Sequence, residues 1–267
     1  MKLSIITVNK NNAKNLEKTI KSVICQTFTD FEYLIIDGSS TDGSVEIIRK
    51  YNSNINFWVS EPDTGIYNAM NKGIRKAKGE YCLFLNSGDL LIDNNTLLNL
   101  FEEVKDTISA DIYYTDCIRT NNTYYKAPAI LDINYLILKN LNHQNTIINR
   151  SLFFNHNFYS EKYCIAADYE FWLRELWVYK STFIFLKTKI AIYDSSGISS
   201  TNNYDSEKKE CIRSVFGSIG ESLIKLQEYN HDIFLDIITV YGYSKFLDFI
   251  LKTYRYILKR YKLIFKK

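Results

Sequence analysis

What this chain of 267 residues lacks narrows its chemistry before any motif is read. No Gly-x-Gly-x-x-Gly follows the first apolar run, so the phosphate cradle of a dinucleotide-binding fold is missing. The five cysteines (Cys25, Cys82, Cys117, Cys164 and Cys211) include no Cys-x-x-Cys pair. His143, His156 and His231 have no zinc-ligand spacing. Cys82 and Cys164 lie in apolar sequence, so the thiols read as reduced core groups of a cytoplasmic protein. No run reaches about 18 uncharged apolar residues, which excludes a membrane-spanning helix. Met1 to Val8 is too short for a signal-peptide core and runs straight into a strand pattern. Proline occurs only at Pro62 and Pro128; with many Tyr, Lys and Asn, this reflects base composition. There is no low-complexity linker and no internal repeat.

What is present suits a folded α/β protein. With 46% apolar and 24% charged residues, the chain can bury one large core and still solvate its surface. Charge is unevenly spread. Residues 241–267 hold eight basic residues against Asp248, a net +7, which leaves −4 on residues 1–240 of a chain whose total is +3. In this tail Phe246, Ile250, Thr253, Ile257, Tyr261 and Ile264 share one helical face and Lys245, Lys252, Arg255, Lys259, Lys262 and Lys266 another. Such a basic amphipathic helix suits an anionic membrane surface. The alternative is a helix packed on the catalytic body or on a second copy of the chain, as in a homo-oligomer.

Apolar runs at Leu3–Val8, Phe31–Ile36, Phe57–Ser60 and Tyr81–Leu85 alternate with helical patterns at 15–23, 45–51 and 66–77, the last closed by Gly79. Four strand–helix alternations with short links predict a doubly wound, mostly parallel sheet. Ser44 or Asp42 is available to cap the second helix. Beyond Asp89 the pattern loosens: helices at 96–104 and 167–179, strands at 110–114, 123–127, 147–148, 183–186 and 190–193, then mainly helix from Asp205.

The chain is organised around the fourth run, which ends in Asn86-Ser87-Gly88-Asp89. Ligands of open α/β sheets bind beyond the carboxyl ends of strands. Three strand ends deliver amides and acids there: Thr7 and Asn9, Asp37 and Asp42, Asn86 and Asp89. A carboxylate after the second strand can accept from a ribose or a base N–H, and an acid after the fourth can hold Mg2+ or Mn2+ against a diphosphate. The plainer alternative is a solvated loop in which Asp93 or Asp89 caps the helix near Thr96.

Ser4-Ile5-Ile6-Thr7-Val8, Ile36-Asp37-Gly38-Ser39-Ser40-Thr41-Asp42-Gly43 and the run Ser60 to Gly73, Ser-Glu-Pro-Asp-Thr-Gly-Ile-Tyr-Asn-Ala-Met-Asn-Lys-Gly, resemble family 2 glycosyltransferases of the A-type fold. The likeness continues through Ala77–Tyr81 and Phe84–Asp89 and covers about residues 3–200. It implies a Rossmann-like α/β fold, with a catalytic domain at 1–204 and a helical extension at 205–267.

The resemblance also implies roles. Asp37 matches the acid that contacts the nucleotide base, Asp63 lies in the loop approaching the nucleotide, and Asn68 and Lys72 lie on the helix behind it. Lys72 could equally be an ordinary surface lysine. Asn86–Asp89 matches the Asp-x-Asp metal motif imperfectly: Asn86 stands at the first acid, Gly88 at the usual metal acid, and Asp89 one place later. Asp168 matches the catalytic base of inverting enzymes, with Ala167 where the preceding acid would be; its alternative is to cap the helix carrying Trp172. His143 and Gln144 match a His-Gln pair near the acceptor or diphosphate, though a lone His is often a satisfied structural residue.

The expected protein is therefore an inverting, nucleotide-sugar-dependent glycosyltransferase of a bacterial polysaccharide-assembly type. Its partners would be a nucleotide-sugar donor, a glycan or lipid-linked acceptor and a divalent cation, with no nucleic acid. It would be cytoplasmic, peripheral on the inner membrane through 241–267. A non-catalytic sugar-nucleotide binder and, further off, a sugar nucleotidyltransferase are the rivals.

Overall fold

The computed structural model describes residues 1–120, 123–194 and 204–229; the basic 241–267 helix lies outside the described residues. Met1–Cys211 is one compact unit, and a second begins at Ile212. The alternation read from the amino-terminal half is present as β1 (Leu3–Asn9), α1 (Ala13–Ile24), β2 (Phe31–Asp37), α2 (Ser44–Lys50), β3 (Phe57–Ser60), α3 (Ile66–Lys76) and β4 (Tyr81–Phe84). There follow β5 (Leu90–Leu91), α4 (Thr96–Lys105), β6 (Ile112–Thr115), β7 (Cys117–Arg119), β8 (Tyr124–Tyr125), α5 (Ile133–Leu138), β9 (Thr146–Asn149) and α6 (Ser151–His156). Then come α7 (Ala167–Arg174), a π-helical turn at Glu175–Tyr179, β10 (Phe183–Leu186) and β11 (Ala191–Tyr193). The described chain ends in α8 (Tyr204–Phe216) and α9 (Ser218–Tyr229).

The main sheet has the order β10-β6-β9-β4-β1-β2-β3. All its pairings are parallel except those of β9, which runs antiparallel between β4 and β6. Residues Leu3, Ile5, Ile6, Leu34, Ile35, Cys82 and Leu83 are fully enclosed, as expected of strands covered on both faces by βαβ crossovers. Each such side chain contributes about 1.5–3 kcal/mol by leaving water. This α/β architecture with a helical carboxyl-terminal part agrees with the sequence expectation. A second, four-stranded sheet, β5-β11-β7-β8, was not foreseen.

Three local expectations are corrected. Gly79 does not close α3, which ends at Lys76 with Ala77 already extended. Glycine is needed at 79 because an added Cβ would stand 2.5 Å from Ser4 N, against the backbone of β1. Cys164 is exposed, not a core thiol. Neither Asp89 nor Asp93 caps α4: Asn95 holds the N-cap position without a side-chain cap bond, and Asp93 only accepts from the Asn95 N–H at 2.8 Å ahead of the helix.

Candidate active site

The carboxyl ends of β1 and β4 and the loops entering β9 and α7 open on one cavity of about 1030 Å³ within the first unit. Among the residues expected at a site, Asn9, Asp63, Asn86, Asp89, His143, Gln144 and Asp168 line it. Thr7, Asp37, Asn68 and Lys72 stand behind it. Thr7 donates to Leu85 O at 2.7 Å, pinning β1 to the end of β4. Asn68 donates to Glu161 at 2.9 Å, and Lys72 is held by Pro62 O and Glu61, each at 2.8 Å.

Asp37 is wholly enclosed. Its carboxylate accepts from Asn9 Nδ2 (2.7 Å), Ser40 N (2.9 Å), Ser40 Oγ (2.6 Å) and Ser60 Oγ (2.6 Å). Register explains the cluster, since Asn9, Asp37 and Ser60 sit side by side at the ends of β1, β2 and β3. Asn9 spends its amide on Asp37 and leaves its own Oδ1 buried without a partner at the cavity wall. Asp63 caps its own turn by accepting from Gly65 N at 3.1 Å and faces Lys10 at 3.8 Å.

At the end of β4, Asp89 is 2% exposed and accepts from the N–H groups of Asn86 (3.1 Å) and Asp194 (3.0 Å). Burial pushes its carboxyl up to about 6, against the backbone N–H of Asp194, the nearby His143 and a hydrogen bond from Gln144. Gly88 has φ of +114°, and a Cβ there would stand 2.8 Å from Asp194 Oδ2. Asp89 and Asp194 are thus neighbours at the cavity wall, and Asn86, whose Oδ1 is unpartnered, lines the same cavity. This oxygen-only set fits a hard divalent cation whose shell is completed by phosphate and water. Among the described residues, no three His, Cys, Asp or Glu side chains gather as a metal cage by themselves.

Asp168 opens α7 and is 6% exposed. Its Oδ1 accepts from its neighbour Tyr169 N at 2.7 Å and from the Tyr67 hydroxyl at 3.1 Å, and its Oδ2 lies 3.1 Å from His143 Nδ1. His143 Nε2 is 2.9 Å from Asn86 Nδ2. A carboxamide nitrogen only donates, so Nε2 accepts, and the ring proton sits on Nδ1 and is given to Asp168. The loop before Asp168 is clamped by Glu207, which accepts from the N–H groups of Cys164 (3.0 Å), Ile165 (2.8 Å) and Ala166 (3.0 Å). The single Tyr67 proton is shared between Asp168 Oδ1 and Ile165 O, the latter at 2.6 Å; burial first, and the Asp168 charge second, push its hydroxyl well up. Tyr67, Asp194 and Glu207 escaped sequence reasoning. Tyr67 lay inside a quoted motif, but its partner is 101 residues away.

Residues 4–167 match the family model described as Glycosyl transferase family 2. A PGL/p-HBAD biosynthesis glycosyltransferase of Mycobacterium bovis is 31% identical over 175 residues, 64% of this chain and 68% of that protein. Among solved structures, S. aureus TarS 1-349 in complex with UDP-GlcNAc superposes with a TM-score of 0.68 at 20% identity, covering 80% of this chain and 65% of that one. The mannosyltransferase PcManGT from Pyrobaculum calidifontis, in complex with GDP-Man and Mn2+, has a TM-score of 0.61 at 15% identity, covering 82% and 64%.

Proposed function

The chain belongs to glycosyl transferase family 2, and from that membership we propose that it moves a sugar from a nucleoside diphosphate to a hydroxyl of a glycan or lipid-linked acceptor, inverting the anomeric carbon. The observation that carries this reading is Asp168: a carboxylate at the cavity wall, held by Tyr67, His143 and the Tyr169 N–H. In the transfer, the acceptor hydroxyl oxygen forms a bond to the anomeric carbon while its proton passes to Asp168. The bond from that carbon to the diphosphate breaks, and its electron pair leaves with the nucleoside diphosphate.

The donor side is the wall made by Asn9, Asp63 and Asn86. The unpartnered Oδ1 of Asn9 is an acceptor for a ribose hydroxyl or base N–H, and Asp37 acts from behind by fixing Asn9 and Ser40. Asp89, Asp194 and Asn86 Oδ1 are the atoms suited to hold Mn2+ or Mg2+, whose chemistry when bound is to neutralise charge on the departing diphosphate. No described helix is long and apolar enough to cross a membrane. Attachment to anionic lipid is assigned to the +7 segment 241–267, which would bring the site to lipid-linked acceptors in surface polysaccharide synthesis.

The test is a panel of UDP-, GDP- and dTDP-sugars scored for protection against thermal unfolding, then for donor hydrolysis with and without chelator. Protection by one nucleotide class together with hydrolysis is the expected result. Protection without turnover in any condition would reduce the protein to a sugar-nucleotide binder.

A further inference from the structure

The cavity lining also carries cations to which the transfer chemistry assigns no role. Arg119, at the end of β7, Lys139, just past α5, and Lys208, on α8, all line the cavity. Their contacts are to rings. Arg119 and Lys139 lie 5.9 and 5.7 Å from the centroid of Tyr125, and Lys208 lies 5.2 Å from that of Tyr169, the neighbour of Asp168. Arg119 Nε is buried with no hydrogen-bond partner. A buried guanidinium donor without an acceptor is costly unless something supplies one. Burial pushes the Lys208 ammonium down to about 8, with Asp205 offsetting only part of the cost. Tyr204, one turn before Lys208, is pushed up by burial and by the Asp168 charge, which places this helix beside the base. A half-buried guanidinium with an unpartnered Nε and a half-buried ammonium, each beside an aromatic ring, make a receptor for a multiply charged oxyanion.

We propose that Arg119, Lys139 and Lys208 form a phosphate-binding subsite on the acceptor side of the cavity, so that the acceptor carries a phosphoryl group close to the hydroxyl that is glycosylated. This rests on the glycosyltransferase reading above and names the acceptor class of the same site. Phosphate chemistry could also come from the donor diphosphate, and the two sources predict different competition.

The test uses the full chain with glycerol phosphate as probe, glycerol as its uncharged control, and UDP or GDP, whichever binds. The expected result is that glycerol phosphate binds with the nucleotide site saturated and glycerol does not. Arg119→Gln and Lys208→Gln should each weaken that binding about tenfold and leave nucleotide affinity within about twofold. Lys139→Gln serves as a third, more exposed variant should either of the others misfold, which circular dichroism reports. Competition between glycerol phosphate and nucleotide, or loss of nucleotide affinity in the variants, assigns the cations to the donor and overturns the proposal. Absence of glycerol phosphate binding by a chain that still binds nucleotide overturns it too. Failure to bind any nucleotide strikes instead at the donor reading, and the glycerol phosphate titration still reads the cation site by itself.

Discussion

His143 Nδ1 lies 3.1 Å from Asp168 Oδ2, while its Nε2 lies 2.9 Å from Asn86 Nδ2. One imidazole therefore joins the end of β4, on the donor side, to the start of α7, where the proposed base sits. A proton donor on the base's second oxygen fixes the carboxylate plane and leaves its remaining lone pairs for an acceptor hydroxyl. In the proposed mechanism His143 is a positioning residue. His143→Ala should lower kcat about 10–100-fold with the donor KM little changed, and His143→Gln should recover part of the loss. Equal kcat in wild type and His143→Ala would remove it from the site.

Asp168→Asn keeps the shape and loses the proton acceptor. Transfer should fall by about 10²–10⁴, while nucleotide binding measured by calorimetry stays near the wild-type value. Combined with His143→Ala it should cost little more than alone, because the two act as a unit. Normal transfer by Asp168→Asn would show that the base lies elsewhere.

Asp37 makes a different prediction, since its four accepted hydrogen bonds are all internal. Asp37→Ala strands donors on Asn9, Ser40 and Ser60 and should cost about 2–5 kcal/mol of stability along with nucleotide affinity. Denaturant titration separates the two. Weakened nucleotide binding at unchanged stability would mean that Asp37 touches the ligand directly.

The cation site proposed at Asp89 and Asp194 is tested by linkage. Mn2+ should tighten nucleotide binding to the wild type, and Asp89→Ala or Asp194→Ala should abolish that gain. The readout is nucleotide affinity with Mn2+ and with EDTA. A full Mn2+ effect in both variants would place the ion away from this corner.

Lys208 links stability to pH. Its ammonium loses its proton near 8 in the folded chain and near its ordinary 10.5 when unfolded. Across that interval the unfolded state binds more protons, so stability rises with pH. Denaturant midpoints at neutral pH and at about pH 9.5 should therefore show stability increasing by about 1–3 kcal/mol, and Lys208→Met should remove the increase. A rise that survives in Lys208→Met would belong to another group.

Much of the frame was legible because β1, β2 and β4 are buried apolar runs ending in polar turns, and a strand–helix alternation leaves parallel pairing as the natural outcome. Direction was not legible for β9, whose four residues say nothing about which way they run between β4 and β6. Nor was the second sheet, whose strands of two or three residues are too short for a period to register. Asp89, His143 and Asp168, which line the cavity, were singled out through family-like motifs. Their supports were not: Glu207 reaches the Cys164–Ala166 backbone from more than 40 residues away, and such contacts leave no trace in local spacing.

The reversed strand β9 sets a gauge. Leu83 of β4 faces Ile147 of β9 across the ladder, so the separation of Asn86 from His143 is counted off along two hydrogen-bonded tracks. Residues added before Asn142 would instead disturb Leu141, which is buried and whose carbonyl accepts from Trp172 Nε1 at 3.2 Å. One residue added between His143 and Ile147 would shift the imidazole off its mark at both nitrogens at once. The imidazole is therefore held to length from both directions, by the β9 ladder on one side and by the Leu141–Trp172 hydrogen bond on the other.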